Sequence, residues 1–156
     1  MRWNATDDSL TLDVTDVAIT AKDLIPTKRN VVSVVGWFYD PLGVLSPVVI
    51  QFKILFQQLS ESRVEWDQPI SGELLSKWQS LVSMLESGPQ ILIPRCFLYG
   101  VAEEVESYKI YGFCDASKGA YATVIYLVIK ASASSHVKFV ASKHVSLPLV
   151  DQLSRD

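Results

Sequence analysis

The chain has few of the residues that build metal centres and disulfide frameworks. Its 156 residues include two cysteines, Cys96 and Cys114, and two histidines, His136 and His144. Neither the cysteines nor the histidines show ligand spacing, so no zinc site or disulfide scaffold is indicated, and two free, buried thiols are expected. No apolar run reaches the roughly 18–20 uncharged residues of a bilayer span. The longest, Tyr121 to Ile129, is strand-length and is followed by Lys130. The first residues lack the basic-then-apolar layout of a secretory signal. A cytoplasmic or nuclear protein without membrane contact is the expectation. Basic residues are not in excess either: 14 Lys and Arg stand against 17 Asp and Glu, a net charge of −3. That balance argues against a strongly basic nucleic-acid binder acting alone.

What the chain does have is apolar content. Hydrophobic residues make up 49% and charged residues 20%, and mean hydropathy is +0.22. This is the composition of a globular chain, long enough for one ordinary domain or pieces of two. Trp3 to Val14 reads as a β-hairpin: Asn4-Ala5-Thr6-Asp7-Asp8 supplies the turn, and Leu10, Leu12 and Val14 share one face. Thr15 to Pro26 reads as a connection. Three helices follow. The first opens after Thr27 as N-cap and carries the stripe Val31, Val34, Val35 and Phe38. The second starts at Ser46-Pro47, with serine as N-cap and proline in the first turn, and runs to about Arg63. The third is capped by Ser71, carries Leu74, Trp78, Leu81 and Leu85, and ends at Gly88-Pro89.

After Pro89 the period changes to that of strands. Gln90 to Ile93, Tyr108 to Phe113, Tyr121 to Ile129 and Val137 to Ser142 are expected strands, and Glu103, Glu104 and Glu106 a solvated loop. The fold class is therefore α+β: an N-terminal β-hairpin, a three-helix middle and C-terminal antiparallel strands, divided into regions 1–89 and 90–156. Asp115 stands where an apolar strand ends, at Phe113-Cys114-Asp115-Ala116-Ser117. Two readings are open for it, a metal-binding carboxylate or a side chain that caps its own turn. Lys28 and Arg29 open a helix, where free N–H groups and basic side chains suit phosphate, and a solvated helix start is the alternative. Trp37, Trp66 and Trp78 read as packing anchors rather than base-stacking platforms.

Several blocks taken together resemble the polyproteins of BEL/Pao-type LTR retrotransposons. They are Trp3 with Asp8 and Leu10, Pro26-Thr27-Lys28-Arg29, Asp40-Pro41-Leu42-Gly43-Val44-Leu45-Ser46-Pro47, Trp66-Asp67, Ile93-Pro94-Arg95 and Phe113-Cys114-Asp115-Ala116-Ser117. The resemblance covers almost the whole chain. It implies a Pol region in which 1–89 is the thumb and connection of a reverse transcriptase. Residues 90–156 would then open an RNase H-like sheet, incomplete here. It also places Asp115 at the first metal-binding carboxylate of an RNase H site, and Lys143 and Pro148 at positions that follow the third strand. Mg²⁺ would be the cofactor of an intact site, and an RNA–DNA hybrid its nucleic-acid partner.

A two-Mg²⁺ mechanism needs several carboxylates. Beyond Asp115 only Asp151 and Asp156 stand nearby, without the block that carries the second acid in that family. No Tyr-x-Asp-Asp, Asp-Thr-Gly or Asp-Ser-Gly occurs, and two scattered histidines support no Ser-His-Asp arrangement. The reading is a non-catalytic Pol fragment with ancestral hybrid handling and no cofactor of its own. A domesticated protein–protein interaction module and a weak nucleic-acid-binding domain are the alternatives. A sheet cut after three strands leaves an open edge and exposed apolar surface, so self-association is expected.

Overall fold

A computed structural model describes residues 1–88, 90–117 and 119–147. Pro89, Pro148, Asp151 and Asp156, all used in the sequence reading, lie outside the described residues. Among the described residues, the chain is α+β, with four helices and two three-stranded antiparallel sheets. The first sheet has the order β1 (Arg2–Asn4), β2 (Ser9–Leu12), β3 (Ile91–Pro94). The helices are α1 (Thr15–Asp23), α2 (Lys28–Trp37), α3 (Ser46–Glu61) and α4 (Gly72–Glu86). The second sheet has the order β4 (Val105–Ala116), β5 (Ala120–Ala131), β6 (Ser135–Ser146), joined by two hairpins.

Three expectations need correction. Thr15–Asp23 is a helix rather than a connection, because Val14, Ala18 and Ala21 form a narrow buried stripe that packs on α4. Two alanines carry little hydrophobic signal, yet their small side chains let the helices approach closely. Ile91–Pro94 does not belong with the C-terminal strands. It pairs with β2 in the register Leu12↔Ile91 to Ser9↔Pro94. Asp8 holds that junction, accepting from Arg95 Nη1 at 2.7 Å and from Trp3 Nε1 at 3.0 Å. Glu106 lies inside β4, paired with Lys130 across the hairpin at 2.7 Å.

The main core belongs to the helices. Phe52, Leu55 and Leu59 of α3 meet Val31 and Val34 of α2 and Trp78, Val82 and Leu85 of α4. Phe52 stacks edge-on against Trp78 and obliquely on Phe38. Thr27 caps α2 as expected, its hydroxyl accepting from Asn30 N at 3.2 Å. The start of α3 differs. Ser46 is its first residue, and the unpaired amides of Val44 and Leu45 donate to the Asp40 carboxylate at 3.0 and 2.6 Å. Ser71 precedes α4 without a side-chain cap bond.

The helical layer meets the second sheet at the Asp40–Ser46 turn. Ser142 N of β6 donates to Leu42 O at 2.8 Å, and Ser142 Oγ reaches Gly43 O and Ser46 Oγ. Gly43 has φ +75°, and a Cβ there would lie 1.9 Å from Ser142 O. Lower down, Gln57 Nε2 of α3 donates to Leu147 O at 2.6 Å. The sheet has little core of its own: Ile129 and Ala131 are its fully buried apolar residues among those described.

Gly43→Ala is therefore expected to cost at least about 2 kcal/mol in urea unfolding, from backbone strain plus the clash. Asp40→Ala should cost about 1–2 kcal/mol through the lost amide partners. Gly36→Ala, in α2 with open space around it, should stabilise by roughly 0.4–1 kcal/mol in the same assay.

Candidate functional site

Cross-strand pairing decides which side chains share a face of the second sheet. In the register Asp115↔Ala122↔His144, one row crosses all three strands. Directly opposed residues project to the same side, so Asp115 and His144 flank Ala122. Two strand spacings separate them, roughly 10 Å. Ala122 leaves room between them, and α3 stands over the β6 side of the face. The result is a cleft of about 740 Å³, bounded by Pro47, Ile50 and Ile54 of α3 and by Phe113, Asp115, Tyr126 and His144 of the sheet.

Asp115 is exposed at the end of β4. Its Oδ1 accepts from the amide of Ala116 at 2.9 Å. The carboxylate thus accepts from the next amide along its own strand. The turn that follows is held by Ser117, whose amide donates to Ala120 O at 2.8 Å and whose hydroxyl accepts from Ala120 N. Among the described residues, no group of three or more His, Cys, Asp or Glu side chains is placed to hold a metal ion. A Mg²⁺ pair needs several oxygen ligands. One exposed carboxylate facing an imidazole across an alanine is not that donor set.

His144, which has no ligand spacing in the sequence, is partly buried in the structure. Both its ring nitrogens are buried and lack hydrogen-bond partners among the described residues. Burial lowers its pKa, the charge of Lys53 adds to the effect, and Asp40 opposes it. No sequence signal marks such a residue, because its neighbours come from α3 and from the turn before it.

Lys28 and Arg29 lie elsewhere. The Lys28 ammonium sits over the Trp66 ring at 4.9 Å from its centroid, and Arg29 forms a two-point contact with Asp67 at 2.6 and 2.9 Å. Trp66-Asp67 and Lys28-Arg29 are thus one contact, further fixed by Arg29 N donating to Trp66 O at 3.0 Å. Both cations are engaged within the chain. Trp78 is a core anchor, whereas Trp37 and Trp66 are partly exposed. The two cysteines are free, but both are exposed rather than buried. Cys114 lies on the exposed strand β4, and Cys96 follows β3 in a surface turn.

A second polar cluster joins residues far apart in sequence. Ser134 Oγ donates to Glu103 Oε1 at 3.0 Å, and His136 Nε2 lies 2.9 Å from Ser134 Oγ and 3.3 Å from Glu103 Oε2. The bonds from Ser134, then those from His136, hold the Glu103 carboxyl below its usual range. Serine and acid crowd the same ring nitrogen, whereas a proton relay needs them on opposite nitrogens. The cluster is a clamp on the β5–β6 hairpin. Glu103 is consequently a structural partner rather than part of a free solvated loop.

The family model described as Pao retrotransposon-like RNaseH-like domain matches residues 27–154. The match spans α2, α3, α4 and the whole second sheet. Comparison with curated proteins gives no match.

The neutral state of His144 has a pH consequence. The folded pKa lies below the unfolded value of about 6.5. The unfolded chain therefore binds this proton first, and stability present above pH 6.5 declines as pH falls through the folded pKa. His144→Leu removes this loss and two unpartnered buried nitrogens, so it should raise Tm more at pH 5.5 than at pH 8. An equal shift at both pH values would contradict the assignment.

Proposed function

The chain belongs to the Pao retrotransposon-like family of RNaseH-like domains, and from that premise we propose that it is a Pol-derived module that handles nucleic acid without cleaving it. The observation that carries this reading is the solitary position of Asp115. Its place at the end of the first strand of an antiparallel sheet suits the first carboxylate of an RNase H-like site. The described residues around it bring no further acid within ligand reach. In a parent polyprotein Asp115 would hold one side of a Mg²⁺ ion, which supplies charge neutralisation at the scissile phosphate when further carboxylates complete the site. Here the same carboxylate caps the strand end.

Residues 1–89 would serve as the thumb and connection next to a polymerase palm, and the second sheet would begin the RNase H-like part. The helical layer contributes rigidity to this arrangement. Lys28 and Arg29 would reach a phosphate backbone only by leaving Trp66 and Asp67, so the contribution of this helix start to hybrid binding is small. Protein binding through the uncovered sheet is the second reading, favoured by the exposure of β4.

The test is incubation of the 156-residue chain with an end-labelled RNA–DNA hybrid and Mg²⁺, beside the variant Asp115→Asn. Both should leave the RNA strand intact. Any hybrid binding should weaken with salt, with a slope of only a few counterions, in keeping with the acidic balance. Mg²⁺-dependent cleavage abolished by Asp115→Asn would overturn the non-catalytic assignment.

A further inference from the structure

His144 lies in the seam between the helical layer and the second sheet. On β6 it follows Ser142, the residue that meets Gly43, by two places. Ser142 opposes Val124 and His144 opposes Ala122, so the two side chains share the face that looks toward α3. Both ring nitrogens of His144 are buried and have no hydrogen-bond partner among the described residues. A neutral imidazole leaves one donor and one acceptor unpaired there. An imidazolium would leave two donors and a charge unpaired, which costs far more.

The charges around the ring decide how that cost is met. Lys53 faces it from α3 and opposes protonation, whereas Asp40 faces it from the turn before α3 and favours it. Asp115 stands two strand spacings away on β4, with Ala122 between. Lys143 is the next residue back along β6 and projects to the other side of the sheet. Asp40 is therefore the acid, among the described residues, whose charge acts on the ring. Both of its oxygens are already engaged. Oδ1 accepts from Val44 N at 3.0 Å and Oδ2 from Leu45 N at 2.6 Å. A charged ring and two amides thus compete for one carboxylate.

We propose that His144 is an acid-responsive latch on the Asp40–Ser46 turn: its protonation draws the Asp40 carboxylate away from the Val44 and Leu45 amides and toward the imidazolium. The proton comes from solvent, and no covalent bond changes. An ion pair replaces two charge-assisted bonds to amides. Gly43 and Ser46 lie in the same turn, so their contacts with Ser142 slacken as Asp40 moves. The helical core of Phe52, Leu55 and Trp78 stays packed. A buried histidine that merely loses stability in acid behaves differently, because Asp40 then keeps both amides until the chain unfolds. The burial of the ring and the charge of Lys53 place the change below the ordinary histidine range. This inference goes beyond the reading of the chain as a Pol-derived module, and it stands or falls without the hybrid assay.

The test is an NMR titration of the full 156-residue chain from about pH 8 to about pH 5. It follows the His144 ring protons and the backbone amides of Val44, Leu45 and Ser142. All three amides should shift with the midpoint of the ring, while tryptophan fluorescence stays that of the folded chain. In His144→Gln, which is neutral throughout, the three amides should hold their positions. Lys53→Met removes the opposing charge, so it should move the ring and amide midpoints together to higher pH. If His144→Gln fails to fold, the joint movement in Lys53→Met decides alone. A ring that does not titrate in this range, or one that titrates with unchanged amides, would overturn the proposal. So would the same amide shifts in His144→Gln, midpoints that separate in Lys53→Met, or loss of the folded fluorescence at the midpoint of the ring.

Discussion

The second sheet meets the helical layer most closely at one turn. Gly43 brings the turn before α3 against Ser142 of β6, and no residue with a Cβ fits there without displacing one of the two backbones. Asp40 makes the approach possible by accepting from Val44 and Leu45, which lets the turn run directly into α3. Ser46 completes the contact, its hydroxyl accepting from Ser142. The Asp-Pro-Leu-Gly-x-Leu-Ser-Pro block therefore has one physical purpose: its acid, glycine and serine each hold the same joint.

The need for that joint follows from the uneven distribution of core. Phe52, Leu55, Leu59, Val31, Val34 and Trp78 are buried together in the helical layer, whereas in the sheet burial is complete only at Ile129 and Ala131 among apolar residues described. Three strands with both faces largely wet are marginal alone. Attachment through β6 lends the sheet the stability of the helices, but it covers only one side. Among the described residues no strand lies beside β4, and the cleft between α3 and the sheet remains wide. Asp115 stands on this least supported strand.

Much of this was legible in the sequence. The stripes Val31 to Phe38, Val48 to Leu59 and Leu74 to Leu85 specify the helices, since large apolar residues at helical spacing have few alternatives. The hairpins were equally readable from their turns, and Asp115 could be placed at a strand end. The first helix was missed because Ala18 and Ala21 give a weak signal, and the partner of β3 was misread because Ile91–Pro94 is too short to declare which sheet it joins. The cleft was less accessible. His144 gains its burial from α3 and its electrostatics from Lys53 and Asp40, and the Glu103–Ser134–His136 clamp joins residues across a hairpin. Such sites arise from register and tertiary approach, and neither leaves a local pattern. The block around Gly43 was recognisable as a motif, but only the structure supplies its reason.

The dependence of the sheet on the helical layer can be measured directly. Trp3, Trp37, Trp66 and Trp78 all precede the second sheet, so tryptophan fluorescence in urea reports the helical layer and the first sheet. Native-state amide exchange at β5 and β6 reports the second sheet. If the Gly43–Ser142 joint governs stability, amides of β6 such as Ser142 exchange through the same opening that exposes the buried Trp78, with the same free energy and the same urea dependence. Exchange of the β6 amides through a separate opening while Trp78 remains buried would contradict the account.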